Sequence, residues 1–410
     1  ELSPPLLVLL YGLAIVGAAF SLAWAAEAAQ VDINAGIALA LLALVAVLPE
    51  YAVDFVFTAQ CGTAYAAEGG SPDVCGLALA NMTGANRILV GVGWPLVVLV
   101  SALAVRRAAR GGTPAPVRPT APGRTRVHIA PVMSVEVGFL LVATLYSLTL
   151  PLRSSLTLLD SAVLLAIFAA YAWRLAQMPA TEPELSGVSH WIGGQPRGPR
   201  RAWVGGLFVG AALVILFSAE HFAESLVETG SDLGVDEFLL VQWIAPLASE
   251  SPELMVACLL AWRLKGGDAL GALLSSKVNQ WTLLIGGLPI VFALTHVGLD
   301  GLPVDAEQRY ELLITGAQSL LAIALLVTLR LTVRSALLLL TLFMVQLLAS
   351  VLGSDRVHDV TIVAMSGVYL ALAVVLLVLR WRALVEVART AFVRDLGTVA
   401  TEPSQSSEGR

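Results

Sequence analysis

An all-α polytopic membrane protein is the fold class this sequence predicts, on three observations. The chain of 410 residues is 57% hydrophobic and only 13% charged, with a mean hydropathy of +0.82, whereas soluble domains carry roughly a quarter charged residues. Its apolar residues gather in eleven segments of the length that crosses a bilayer, about 20 residues: 5–28, 34–60, 74–105, 131–150, 156–176, 203–227, 236–262, 269–298, 309–330, 334–352 and 360–381. One stretch also occurs twice. ALVAVLPEYAVD (43–54) is followed by ANMTGANR (80–87), and APLASESPELMV (245–256) is followed by LSSKVNQW (274–281).

Taken in order, the third and eighth segments are long enough to tilt or break. Residues 106–128 and 177–201 are rich in Pro, Gly and Arg and read as flexible loops. The second of them separates five spans from six. The tail 395–410 is polar and expected to be disordered. The expected organisation is a first five-helix repeat at 1–176 (motif 43–89), a cytoplasmic linker at 177–202 and a second repeat at 203–352 (motif 245–282). An additional transmembrane helix at 353–382 and a cytoplasmic tail at 383–410 complete it.

Orientation follows from the basic residues, which concentrate on cytoplasmic loops. The side holding loop 106–128 carries nineteen of them, and the opposite side only Arg153, Arg309 and Arg356. The N-terminus is then outside and the C-terminus cytoplasmic, in a bacterial plasma membrane. No basic n-region precedes the first span, so no signal peptide is expected within this sequence. Cys61 and Cys75 flank the external loop between spans two and three, where a disulfide would persist; two unpaired thiols are the alternative. Cys258, inside a span, reads as packing.

The repeated stretch carries the chemistry. A carboxylate within a membrane helix is costly and marks a functional site by default. Two of them in matching halves point to a transporter with its site where the repeats meet. Proline removes a helical hydrogen bond and frees the carbonyl four residues back, so Pro49 would free Val45, Pro252 would free Ala248 and Pro246 would free Gln242. Helical spacing puts Glu50 and Asp54 on one face, and Glu250 and Glu253 on another. Carboxylates beside freed carbonyls suit hard cations such as Ca²⁺ or Na⁺. Asn86, Asn279 and Asn81 in the following spans, with Ser249, are further oxygen ligands. Two basic residues, Arg87 and Lys277, also fall inside the spans. An unpaired cation at mid-bilayer costs about 2.5–3.5 kcal/mol or more, so both are expected to pair with two of Glu50, Asp54, Glu250 and Glu253. Glu220, His221 and Glu224 would lie at a solvated helix end, and Glu136 and Asp160 near the interface. His190, His296 and His358 would lie in loops, and with His128 they show no metal-ligand spacing.

At these motifs the chain resembles the cation/Ca²⁺ exchanger superfamily, the sodium/calcium exchanger membrane region, as a divergent bacterial-type member. That family carries Gly-Thr-Ser-x-Pro-Glu and Gly-Asn-x-x-Gly-Ser-Asn-x-x-Asn elements in two inverted five-helix repeats. The resemblance implies that arrangement here, with an extra C-terminal helix, and makes Glu50 and Glu253 the central cation-binding acids. It covers roughly residues 5–105 and 203–350. The departures are specific. Val45, Ala46 and Val47 stand for Gly, Thr and Ser, and Ala248, Ser249 and Glu250 stand there in the second repeat. Ala85 and Leu89 replace a Ser and an Asn, Val278 and Thr282 replace their counterparts, and Lys277 occupies a Gly position.

The expected activity is secondary cation antiport, Ca²⁺ or Na⁺ against Na⁺ or H⁺, with inorganic cations and the lipid bilayer as partners. No resident cofactor is expected beyond the transported ions. Arg87 and Lys277 would tune coupling, either as fixed cations replacing bound Na⁺ or with Lys277 as a proton carrier. Two alternatives keep the fold: an anionic or zwitterionic solute held by the two cations, and a transport-inactive member whose site they lock. No HExxH, Gly-x-Ser-x-Gly or P-loop pattern is present, so neither an enzyme nor an ATP-driven pump is expected. No basic, aromatic-interleaved soluble face suggests nucleic-acid binding.

Overall fold

The computed structural model describes residues 3–32, 48–70, 72, 74–110, 126–177, 185, 187–234, 237–352 and 355–401. In order, its helices are α1 (Pro4–Ala29), α2 (Leu48–Glu68), α3 (Val74–Ile88), α4 (Trp94–Arg110), α5 (Ser134–Ser147), α6 (Leu158–Leu175), α7 (Val188–Gly193) and α8 (Arg197–Leu233). There follow α9 (Glu237–Trp262), α10 (Gly266–Asn279), α11 (Ile285–His296), α12 (Ala306–Leu326), α13 (Val333–Leu352), α14 (Asp355–Leu379), α15 (Trp381–Phe392) and α16 (Leu396–Thr401). Two π-helical turns, Leu89–Gly93 and Gln280–Leu284, join α3 to α4 and α10 to α11. Each of the eleven expected spans coincides with a helix over its described residues; residues 34–47 of the second lie outside them. Among the described residues nine helical stretches are long and apolar enough to cross a membrane. The two that are not, α2 and α9, carry the Pro-Glu pairs. In α9 the apolar stretches Phe238–Leu247 and Glu253–Trp262 are short. Residues 45–47 lie outside the described residues, as do 111–125, 178–184 and 402–410 of the expected loops and tail; the side chains of Pro49, Glu220 and Pro252 are likewise outside them.

The chain divides into two compact units, and each draws on both halves of the sequence. The first comprises Glu1–Ala85, Arg153–Pro252 and Asn279–Arg309; the second comprises Asn86–Leu152, Glu253–Val278 and Tyr310–Arg410. Divisions therefore fall inside α3, α9 and α10, which carry parts of the repeated motifs, and inside α12.

In the first unit, α1 is apolar on every side, as a helix with no aqueous face must be. Leu6, Leu9, Leu10 and Leu13 are exposed along it, while Gly12, Ala18, Ala25 and Ala29 are buried. Small residues let two helix backbones approach closely in a membrane, and this seam packs on α8 around Ala211 and Ile215. Helix α2 packs on α8 and α11, with Phe57, Phe222 and Val241 in a shared core. The strand pair β2 (Ser155–Leu156) and β3 (Leu302–Pro303) is antiparallel. Asp160, expected at the interface, is fully buried as the cap of α6. It accepts from the Thr157 main-chain N–H at 2.7 Å and pairs with Arg153 at 2.7 Å.

A disulfide joins Cys61 on α2 to Cys75 on α3, with the Cα atoms 4.7 Å apart and a sequence separation of 14. A loop of that size restricts the unfolded chain by about 3 kcal/mol. Replacing both cysteines with Ser is expected to lower stability by about that amount, and chemical denaturation of the detergent-solubilised variant measures it. An unchanged midpoint would mean that the bridge does not constrain the unfolded state.

In the second unit, β1 (Arg126–His128) pairs antiparallel with β4 (Arg330–Thr332), so part of the expected 106–128 loop is strand. Helix α13 packs on α4, on the Leu89–Gly93 turn and on α14. A Cβ on Gly91 would meet the Phe343 ring at 2.3 Å, so only glycine allows that approach. Glu136, expected at the interface, is buried in α5.

Three further expectations are corrected. The region 383–401, expected as a tail disordered from 395, holds α15 and α16. Helix α15 is amphipathic and lays its apolar side, with Val387 and Ala391 buried, on α5; Phe392 stacks edge-on against Phe139. The linker 177–202 contains α7 and the start of α8 rather than loop alone. His190, His296 and His358 lie in α7, α11 and α14, because the helices continue through residues that hydropathy alone assigns to their flanks.

Candidate functional site

Within the first unit, α2 presents Glu50 and Asp54 one turn apart, both buried. Asp54 Oδ1 accepts from Asn81 Nδ2 on α3 at 2.8 Å. The Glu50 carboxyl lies close to Ser249 and Glu250 of α9, and Gln280 Nε2 donates to Glu250 Oε1. The Ser249 hydroxyl also lies 3.3 Å from the Ala245 and Pro246 carbonyls. These groups are sealed from solvent: Asp54, Asn81, Glu250, Asn279 and Gln280 are each 0% exposed. Among the described residues several of their oxygens have no hydrogen-bond partner, namely Glu50 Oε2, Asp54 Oδ2, Asn81 Oδ1 and Gln280 Oε1, and the Gln242 side chain has none. Buried polar atoms are ordinarily satisfied, so such a concentration needs an explanation; an oxygen-rich set suits a hard cation.

Helices α3 and α9 come together through a backbone contact. A Cβ on Gly84 would lie 1.7 Å from the Gln242 carbonyl oxygen. That carbonyl is the one Pro246 deprives of its helical donor, and it faces Gly84. The sequence expectation had it among the cation ligands.

In the second unit, Asn86 and Arg87 are fully buried at the end of α3, and Lys277 is 1% exposed on α10. Lys277 Nζ donates to the Asn86 carbonyl at 2.7 Å. Arg87 Nη2 pairs with Glu311 Oε2 of α12 at 2.5 Å, and Gln318 Nε2 reaches the Arg87 carbonyl at 3.4 Å. His358 Nε2 of α14 lies 3.4 Å from Glu311 Oε1. Arg87 thus pairs with Glu311, an acid outside the four motif acids expected to hold it. Glu253 is only partly buried.

Just beyond these residues the helical ladder changes step. In the Leu89–Gly93 turn the Trp94 N–H bonds to the Leu89 carbonyl, five residues back. Pro95 then has no N–H to return to the Gly91 carbonyl. The Gln280–Leu284 turn stands directly after Asn279. Single π-turns inside α-helices are frequent at functional sites, and here both follow the motif asparagines.

The structure therefore gathers Glu50, Asp54, Asn81, Ser249 and Glu250 in one unit, and joins Asn86 to Lys277 in the other. Sequence reasoning missed Gln280 and Glu311, and it gave no role to the Gln242 side chain or to His358. Gln280 sits beside Asn279 in the motif, and Glu311 lies within the expected span 309–330, so both had a signal. Among the described residues no three His, Cys, Asp or Glu side chains form a metal-binding group. A divalent ion would draw on amide and main-chain oxygens as well as carboxylates.

The family profile described as sodium/calcium exchanger protein matches residues 3–176 and 203–378. Among solved structures, the H⁺/Ca²⁺ exchanger CAX is similar at 38% identity with a TM-score of 0.84, covering 95% of this chain and 91% of that one. The sodium-calcium exchanger NCX_Mj shares the fold at 16% identity with a TM-score of 0.53, covering 83% and 97%. YfkE does so at 15% identity with a TM-score of 0.60, covering 84% and 92%. No match is found among curated proteins. The architecture is an all-helical integral membrane protein of two inverted repeats with an added C-terminal helix, and its class is cation transport rather than enzyme catalysis. From the profile match across both repeats and the likeness to CAX over nearly the whole chain, this protein belongs to the sodium/calcium exchanger family.

Proposed function

We propose that this protein exchanges Ca²⁺ for H⁺ as a secondary antiporter, with Glu50, Asp54, Glu250 and Glu253 as cation-binding acids and Asn81, Asn86, Asn279 and Ser249 as supporting ligands. The observation that carries this reading is the burial of three carboxylates, Glu50, Asp54 and Glu250, beside the Asn81 and Gln280 amides in one unit. Acids this deeply buried cannot all stay charged alone, so the Glu50 and Glu250 pair calls for a proton or a metal ion to neutralise it. A divalent ion arriving at the pair displaces that proton, and a proton returning displaces the ion. Ca²⁺ and H⁺ are then cargo, and no resident cofactor is required. The similarity to an H⁺/Ca²⁺ exchanger supports the same ion pair. The nineteen-to-three division of basic residues supports an outside N-terminus and a cytoplasmic C-terminus in a bacterial plasma membrane.

Ion flux in proteoliposomes tests it, with internal Ca²⁺ and internal pH recorded together, with and without a Na⁺ gradient. The expected result is Ca²⁺ movement that runs opposite to H⁺ and does not need Na⁺. Ca²⁺ movement driven only by Na⁺ would replace H⁺ as the coupling ion. No flux under any gradient would overturn the reading and favour a site locked by its cations.

A further inference from the structure

We infer that the end of the second unit where β1 meets β4 binds the phosphate of an anionic phospholipid. Arg126, Arg330 and Arg380 are its ligands, and the exposed face of α14 carries its acyl chains. The inference goes beyond the antiport reading and does not rest on it.

The strand pair brings the cations together. Strand β1 lies between α4 and α5, and β4 between α12 and α13, so the ribbon stands where spanning helices end. Its register sets His128 opposite Arg330 and Arg126 opposite Thr332. Successive side chains alternate along a strand, and directly opposed residues share a face. Arg126, His128 and Arg330 are therefore on one face, and all three are exposed, while Val127 and Leu331 are buried on the other. Opposed Cβ atoms are about 5 Å apart and diagonal ones about 7–8 Å. Arg380 reaches the same place from the end of α14. Its Nη1 donates to the Ala324 and Leu325 carbonyls at 3.0 Å each, at the C-terminal end of α12. There it is close enough to Arg330 for the two charges to repel.

Like charges opposed across a ribbon are destabilising, and these have no acid to offset them. Among the described residues no carboxylate forms an ion pair with Arg126, His128, Arg330 or Arg380. Two acids of α15 and its flank are engaged elsewhere: Glu386 pairs with Arg394 at 2.8 Å, and Asp395 accepts from the Gly397 N–H at 2.8 Å. Asp268 stands in the first turn of α10, where an acid complements the helix dipole. The cluster calls for an anion from outside the chain, and guanidinium groups match phosphate oxygens in bidentate pairs.

The neighbouring face says which anion. Along α14, Val374, Val375, Val378 and Leu379 recur at helical spacing and are 54–74% exposed. On a spanning helix such a face meets acyl chains. It leads directly into Arg380, and Trp381, 57% exposed, follows at the level where indoles lie among head groups. An anionic phospholipid offers chains and phosphate in that order, and basic pockets beside spanning helices take such head groups. Free phosphate would use the arginines alone. A zwitterionic lipid would add its own cation to a cluster already positive.

The experiment follows the thermal midpoint of the full chain in detergent, which rises when a ligand binds the folded state. The titrants are phosphatidylglycerol, phosphatidylcholine with the same chains, and inorganic phosphate, at constant salt. The variants are Arg126→Gln/Arg330→Gln and a control, Arg263→Gln/Arg389→Gln, which removes two exposed charges elsewhere in the unit. Phosphatidylglycerol is expected to raise the wild-type midpoint, and the other two titrants are not. Arg126→Gln/Arg330→Gln should need about thirtyfold more phosphatidylglycerol for the same rise, and the control should stay within about threefold of wild type.

An equal rise with inorganic phosphate would overturn the lipid and leave a free-anion site. An equal rise with phosphatidylcholine, or no rise in wild type, would overturn the inference outright. So would a phosphatidylglycerol response undiminished in Arg126→Gln/Arg330→Gln, or equally diminished in the control, since that is the behaviour of net charge alone. If the double variant does not fold, Arg126→Gln at its exposed strand position decides, with a shift of about fivefold expected and an unchanged response counting against the site.

Discussion

Glu50→Gln and Glu250→Gln are each expected to abolish exchange while the protein still folds. Glutamine preserves the shape of the side chain and one oxygen. At position 250 that oxygen can still accept from Gln280 Nε2. Both substitutions remove a negative charge from a fully buried site and remove the group that alternates between proton and ion. Losing one member of a buried, hydrogen-bonded charge pair costs about 2–5 kcal/mol of binding, on the order of a hundredfold in affinity. Ca²⁺-driven proton movement in proteoliposomes should therefore fall to background in either variant. An intact thermal midpoint would separate lost transport from lost fold. Wild-type flux in Glu50→Gln or Glu250→Gln would sink the assignment of this pair as the exchange site.

Glu311→Ala is expected to be among the most destabilising single changes in the second unit. It removes the carboxylate that neutralises Arg87, and both side chains are 1% exposed. Breaking a buried ion pair from one side costs about 3–5 kcal/mol, because a buried charge loses its counter-charge, whereas replacing both partners with apolar groups is often close to neutral. The double variant Arg87→Met/Glu311→Leu should then be more stable than Glu311→Ala alone. Chemical denaturation of the two single variants and the double variant gives the coupling directly. Strictly additive losses would mean that the two side chains do not depend on each other. His358, on the added C-terminal helix, lies 3.4 Å from the same carboxylate, so His358→Ala serves as the milder comparison on that side.

The sequence by itself determined the spans, their class and the twice-occurring motif. A bilayer forces each spanning segment to satisfy its backbone internally, so apolar length translates directly into helix. Glu50, Asp54 and Glu250 were legible for a related reason, since a buried acid in an apolar run is costly enough to announce itself. Their juxtaposition with Asn81 followed in part from the paired order of the motifs. The tertiary structure alone decided which buried charges meet. Arg87 finds Glu311, and Lys277 finds a main-chain oxygen, because helix rotation and depth are set by packing contacts far apart in the chain. Gly91 against Phe343 is one such contact, and Gly84 against the Gln242 carbonyl is another. The π-turns after Asn86 and Asn279 were hidden because a span apolar on every side has no single face whose phase an extra residue could visibly shift. The amphipathic α15 was read as tail for a similar reason: its polar side dominates a hydropathy average, and only the presence of α5 gives its apolar side something to cover.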